Sequence, residues 1–280
     1  MVTIKLQVMK QEQQTSLDIA AGAGIQTWKM NFLPVNQLNG ATLTILADAV
    51  HKATDDPAIA AVVLTSGMRV FSAGADAGEM AAMAARHGES GGLVDQFNKT
   101  MDRFRELCVA IRRSPFLVIA ALNGHTLAGG LELAAACDLR FAADSDKIQI
   151  GVPEMDLFGA LPSGGGGAQF LARLMGPSRA LQFILDAKPI SPKAAYAAGL
   201  VDRLCGTETL LSEAEAFAAA VAKKAGRIGV AAAKSAVLFG VELPLLDALQ
   251  FDRIVHWDAM RRGNFVSGVD NFVKRFGSTR

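Results

Sequence analysis

The sequence predicts an α/β fold in which strand–turn–helix units stack as turns of a spiral, followed by an all-helical tail. Three observations carry this. Three times an apolar, β-type run ends at tiny residues and gives way to a helical pattern, near Ala75, Gly129 and Gly164. After Gly206 the strand signal vanishes, and 212–225, 230–240 and 245–262 read as helices. The chain has 280 residues, enough for one large buried core with an appendage. Stacked as a spiral, the units bring their small-residue turns to one side. The core is assigned to 1–206 and the helical region to 207–280.

Taken in order, Ile4, Leu6 and Val8 alternate with polar residues as an edge strand does, and 11–16 reads as a polar turn. Strands follow at 17–20 and 25–32 before Pro34-Val35-Asn36 breaks the pattern. Leu43, Leu46, Ala47 and Val50 share a helix face that stops before Asp55-Asp56-Pro57. Residues 61–65 form a short buried strand. Phe71 to Met80 then runs from strand end through Ala73-Gly74-Ala75 to a helix start. From Met83 to Gly92, which includes Arg86, His87 and three glycines, the expectation is a mobile surface loop. Phe97, Met101, Phe104, Leu107 and Ile111 mark a long amphipathic helix, closed by Arg112-Arg113-Ser114-Pro115.

The central unit begins with the apolar run Phe116–Leu122, which stops at the turn Asn123-Gly124. Ala128-Gly129-Gly130 follows, and then a helix to Asp138. Strands are expected at 139–142 and 147–150 around a turn at 144–146. Next come Gly151-Val152-Pro153-Glu154 and the four glycines 164–167, which lead into a helix over 168–175. Those glycines lack the Lys-Ser/Thr of a nucleotide phosphate loop, which leaves a flexible loop or a helix N-terminus facing a ligand. A helix spans 178–185. Ser191 caps another that starts at Pro192, and 198–202 ends it and enters a strand.

Bulk properties exclude several classes. Net charge is +1 and the longest basic runs are pairs, which argues against nucleic-acid binding. No apolar stretch reaches the roughly 18 residues of a membrane span, and no signal peptide is evident at Met1–Leu6. Cys108, Cys137 and Cys205 fit neither a metal spacing nor a disulfide framework, and a reducing cytoplasm suits them. His51, His87, His125 and His256 show no ligand spacing, so no metal is expected.

The chemistry rests on two acids. Glu132 lies in the first turn of the helix that opens at Gly129, beside unpaired backbone N–H groups. Alone, this stretch fits either a tight packing turn or a site that holds an oxyanion and moves a proton. Glu154 follows 22 residues later, after a helix, a returning strand and a hairpin, a path long enough to face Glu132 across a cleft. Two carboxylates beside backbone donors suit reactions alpha and beta to a carbonyl: the donors stabilise an enolate-like oxygen and the acids handle protons.

These residues resemble the crotonase, or enoyl-CoA hydratase/isomerase, superfamily. The resemblance is carried by Phe71–Asp76, Asn123-Gly124 through Ala128–Leu133, Cys137-Asp138, Pro153-Glu154, Pro162–Gly166 and Ile190-Ser191 through Ala198–Asp202, in order over nearly the whole chain. It implies a crotonase-like spiral of ββα repeats with a C-terminal helical trimerisation region, and trimers often paired as hexamers. It implies an acyl-CoA substrate and no cofactor, coenzyme A being part of the substrate. By position, the N–H groups of Ala75 and Gly129 would hold the thioester oxygen. Glu132 would act as base toward water and Glu154 would deliver a proton to the alpha carbon. Ala73, Asp76, Ala77, Gly78, Gly164, Phe272 and Lys274 fall where the family contacts acyl-CoA. The implied reaction is reversible hydration of a trans-2-enoyl-CoA in fatty acid β-oxidation. Alternatives are double-bond isomerisation, decarboxylation, thioester hydrolysis, or non-catalytic binding. Three departures stand out: Gly78 replaces a lysine of some hydratases, the stretch from Glu154 to Pro162 is one residue longer, and Asn31–Asn36 is more like the isomerases.

Overall fold

Strands covered on both faces are apolar without alternation, and the centre of this protein is made of such runs. The computed structural model describes residues 16–88, 91–159, 161–263 and 265–277. The expected strand at residues 4–8 and the turn before Ser16 lie outside them. An antiparallel hairpin, β1 (Ser16–Gly22) and β2 (Ile25–Asn31), comes first, and β3 (Gln37–Leu38) and α1 (Gly40–Asp55) complete the first unit. The second unit holds β4 (Ala61–Ser66), β5 (Val70–Ser72), β6 (Gly74–Ala75), α2 (Ala77–His87) and α3 (Gly91–Arg113). The third holds β7 (Leu117–Leu122), β8 (His125–Leu127) and α4 (Gly129–Ala136). The fourth runs through β9 (Leu139–Ala143), β10 (Ile150–Gly151), α5 (Glu154–Phe158), α6 (Gly167–Met175), α7 (Pro177–Asp186) and α8 (Pro192–Ala197) to β11 (Arg203–Cys205). The tail is α9 (Leu210–Gly240), α10 (Leu245–Arg262) and α11 (Phe265–Phe276).

The leading strand of each unit joins one sheet, ordered β1-β2-β4-β7-β9-β11 and parallel except for β1. The short strands β5, β8 and β10 form a second parallel sheet, and β3 pairs with β6. Each turn of chain therefore adds a strand to the large sheet and a short strand above it, and this is the spiral of ββα repeats. Caps fix where the helices begin. Asn39 and Thr42 form a capping box on α1, Asp76 accepts from the Gly78 and Glu79 N–H groups at α2, and Ser191 accepts from Ala194 at α8.

The tail is of two kinds. α9, bent at Gly226 (φ 58°), sends Leu210, Ala214, Ala218 and Val230 into the core. Lys234 is buried with it: its ammonium pairs with Asp138 at 2.8 Å and donates to the Ile111 and Phe116 carbonyls and to Ser114 Oγ. Arg227 donates to the carbonyls of Ala53, Asp56 and Ile59 at and just past the end of α1. By contrast, α10 and α11 carry no buried residue in the single chain.

Three expectations need correction. Met83–His87 is helix, not loop: the Asp76 cap starts α2, its alanines favour continuation, and Gly88 at φ 55° stops it. His87 is exposed. The strand expected at 147–150 shrinks to Ile150–Gly151, because Asp144–Ser145 turns back on itself through Ile148 N–H to Ser145 O. Glu154, to which the sequence assigns no element, opens a short helix. The two helices expected at 212–225 and 230–240 are one element bent at Gly226.

Candidate active site

The site grows from two turns pressed together. Gly74 has φ 89°, and a Cβ there would stand 2.7 Å from the Gly129 nitrogen and 2.8 Å from the Ala128 Cβ. Only glycine permits that approach. A Cβ at Gly130 would stand 2.5 Å from the Ser72 carbonyl oxygen. The turn ending β6 and the turn opening α4 are thus fixed against each other, with Ala75 and Gly129 adjacent to the contact. Ala128 caps α4 at φ 51°, a left-handed conformation costly for a residue with a Cβ. Gly129 is the first residue of α4, so its N–H has no partner within the helix.

Upstream, a buried asparagine holds the strand that β6 pairs with. Asn36 (φ 51°) accepts from the Phe32 N–H and donates to Ser66 Oγ and the Phe71 carbonyl, and Ser72 Oγ donates to the Asn36 carbonyl. The turn before β3 is therefore locked to β5.

Glu132 is 2% exposed, and all eight residues of α4 are buried with it. Its carboxylate is held by the four-glycine loop. Gly164 N–H donates to Oε1 at 3.1 Å, and the Gly165 and Gly167 N–H groups donate to Oε2 at 2.7 and 2.6 Å. Glycine is required throughout. A Cβ at Gly167 would stand 2.5 Å from Glu132 Cγ, and one at Gly164 or Gly165 would run into Met101 or Phe104 of α3. Burial raises the Glu132 pKa, and the N–H bonds from Gly167, Gly164 and Gly165 oppose that rise. The loop therefore neither flexes freely nor offers these groups to a ligand: its donors are spent on Glu132.

Glu154 has none of that support. It is 5% exposed, at the start of α5, and its Oε2 has no hydrogen-bond partner among the described residues. Burial pushes its pKa up to about 7; a bond from its own backbone N–H pulls down, and the Glu132 charge adds a further push.

Ala75, Gly129, Glu132, Glu154 and Gly164 line one apolar pocket of about 50 Å³, with Leu38, Phe97, Met101 and Phe104 among its walls. The longer stretch after Glu154 has not carried that acid out of the site. The other expected contacts stand apart from this pocket. Asp76 spends its carboxylate on the α2 cap and on the Asn39 amide, with Gly78 in the cap it serves. Ala73 precedes the β6 turn, and Ala77 lines a neighbouring cavity. Phe272 and Lys274 are on the exposed helix α11. Phe97, Met101 and Phe104, which share one helix face by their spacing, form part of the pocket wall, and Met101 and Phe104 are the floor under the glycine loop; the spacing signals the face and not what it faces.

Comparison with known proteins agrees. The enoyl-CoA hydratase/isomerase family profile matches residues 20–277. A crotonyl-CoA hydratase of Syntrophomonas wolfei is 36% identical over 219 residues, 78% of this chain and 79% of that one. A mitochondrial enoyl-CoA hydratase of Pongo abelii is 33% identical over 86% of this chain and 78% of its own. Among solved structures, an enoyl-CoA hydratase of Geobacillus kaustophilus superposes with a TM-score of 0.85 at 31% identity, covering 94% of this chain and 95% of that one. With paired turns, two buried acids and a family match over most of its length, this chain belongs to the enoyl-CoA hydratase/isomerase family.

Proposed function

We propose that this protein is an enoyl-CoA hydratase, which adds water reversibly to a trans-2-enoyl-CoA to give a 3-hydroxyacyl-CoA. The observation that carries the reading is the unequal setting of two acids in one apolar pocket: Glu132 bonded on both oxygens by N–H donors, Glu154 with a bare buried oxygen. The N–H groups of Ala75 and Gly129 receive the thioester oxygen as negative charge develops on it. Ionised Glu132 takes a proton from water as the oxygen bonds to the beta carbon, and protonated Glu154 gives its proton to the alpha carbon. Transfer of a proton from Glu132 to Glu154 resets the pair. The hydratase names of the relatives support the same reading.

Coenzyme A arrives with the substrate and no separate cofactor takes part. Ala73, Asp76, Gly78 and Gly164 border its path, Ala77 stands where that path meets the acyl side, and Phe272 and Lys274 approach it from α11. We assign 1–206 to the catalytic spiral and 207–280 to the helical region, in which α9 is fastened to the core and α10 and α11 are left to assemble a trimer, or a hexamer of two trimers. Leu245, Leu246, Trp257, Phe272 and Phe276 are exposed in the single chain and support that assembly. We place the enzyme in the cytoplasm, in fatty acid β-oxidation.

The test is loss of the conjugated-thioester absorbance when enoyl-CoAs of several lengths are added. Loss with wild type and none with Glu132→Gln is the expected result, and no loss at any length overturns the reading. Isomerisation has its own supporting observation, since the unpartnered Glu154 oxygen is free to shuttle a proton between alpha and gamma carbons alone. Double-bond migration that survives in Glu132→Gln would identify that activity.

A further inference from the structure

The catalytic pocket is too small for most acyl chains. About 50 Å³ accepts the reacting carbons and a water, and little more. Four of its wall residues, Met80, Phe97, Phe158 and Leu161, also line a second cavity of about 770 Å³. That cavity lies between α2, the start of α3 and the end of α5, and every one of its ten lining residues is apolar. Its size is that of a site for a whole small ligand, on the order of 300–1,000 Å³. Ala77, Ala81 and Ala84 recur on one face of α2 and open the space. Met80 and Met83, unbranched and adaptable, border it.

We propose that the acyl chain of the substrate passes through the collar of Met80, Phe97, Phe158 and Leu161 into this cavity, making medium- and long-chain enoyl-CoAs the preferred substrates. The inference rests on the enoyl-CoA reading above and adds to it the chain length. The occupant is hydrocarbon, because among the described residues no charged or hydrogen-bonding side chain meets the cavity, so the phosphates and amides of coenzyme A find no described partner there. The four shared wall residues set this cavity beside the pocket that holds both acids, which determines the end of the substrate that would enter. A four-carbon chain ends at the collar. Each further methylene leaves water for an apolar wall, worth up to about fourfold in affinity or kcat/KM.

The experiment compares crotonyl-, octenoyl- and dodecenoyl-CoA by kcat/KM, and butanoyl- with dodecanoyl-CoA by titration calorimetry. Wild type should favour the eight-carbon substrate over the four-carbon one by at least tenfold. Ala81→Phe and Ala84→Phe should each cut the twelve-to-four-carbon ratio at least tenfold. The ratio is read within one preparation, so partial misfolding cancels. Crotonyl-CoA as the best substrate, or ratios unmoved in both variants, overturns the proposal while leaving the hydratase reading intact. No hydration at any length, with dodecanoyl-CoA still bound tighter than butanoyl-CoA, overturns the hydratase reading and keeps the cavity's role. Unmoved ratios with loss of the assembly in the variants would give the cavity to a second copy of the chain, against the proposal.

Discussion

Replacing Glu154 by glutamine should flatten the dependence of stability on pH. Burial lifts this carboxyl from its ordinary 4.5 to about 7, so the folded protein holds the Glu154 proton more tightly than the unfolded chain does. A raised carboxyl pKa contributes stability that is complete below the ordinary value and is lost as pH climbs through the folded value. The whole effect is at most about 3.5 kcal/mol, since each tenfold in proton affinity is about 1.4 kcal/mol. Between pH 5.5 and 8.5 the part that changes is roughly 2 kcal/mol. Urea unfolding at both pH values, with wild type and Glu154→Gln at one protein concentration, measures it. Wild type should lose roughly 2 kcal/mol more than the variant over that interval. Parallel losses in the two proteins would refute the assignment of a buried, protonated Glu154.

Three further outcomes follow from the same geometry. Hydration consumes no net proton, and both directions start from an enzyme holding one proton between its two acids. The kcat/KM of hydration and of dehydration should therefore fall together above about pH 7; profiles that diverge would sink the shared-proton scheme. Gly165→Ala drives a methyl into the buried Phe104 ring and displaces a donor from Glu132. A loss of about 1–3 kcal/mol in unfolding free energy and at least a tenfold drop in kcat are expected; a variant as active as wild type would show that the cradle does not matter. Lys234→Met leaves Asp138 buried without its cation, at a cost of about 3–5 kcal/mol in denaturant unfolding. Undiminished stability would deny that this pair fastens α9 to the core.

The parts of this molecule legible in its sequence are those where local chemistry and tertiary need coincide. Asn123-Gly124 and Ala128-Gly129-Gly130 read as a turn and a close approach, and Gly74 and Ser72 are what approaches. The amphipathic α3 and the cap at Ser191 were visible for the same reason. What was hidden depends on partners distant in sequence. The four glycines read as a flexible loop or a helix N-terminus facing a ligand, because nothing nearby reveals that three of their N–H groups point at a carboxylate 32 to 35 residues earlier. β8 and β10 have three and two residues, too short for any periodicity to register. The second half of α2 offers little apolar signal of its own: Ala84 lines a cavity, and Ala82, Ala85, Arg86 and His87 are exposed.

Glu132 and Glu154 are the same residue type in the same pocket, so their different roles must come from their surroundings. No other charged side chain among the described residues lines that pocket. Two carboxylates in such a place resist ionising together, and one proton stays between them at neutral pH. Its location is decided by which carboxylate gains more from being charged. Burial raises both carboxyls most of all; against it, Glu132 accepts three N–H bonds that would weaken on protonation, whereas Glu154 accepts only from its own backbone. On the proposed hydratase reading the proton rests on Glu154 as the acid and Glu132 is the base. Oε1 of Glu132 accepts a single, longer bond and keeps a lone pair for water. The same argument run in reverse gives a consequence for the loop. Disrupting it should do more than loosen Glu132: it should erase the difference between the two acids, so Gly167→Ala should lower kcat for hydration more than it lowers stability. A loss of activity no larger than the loss of folded protein would show that the loop only packs.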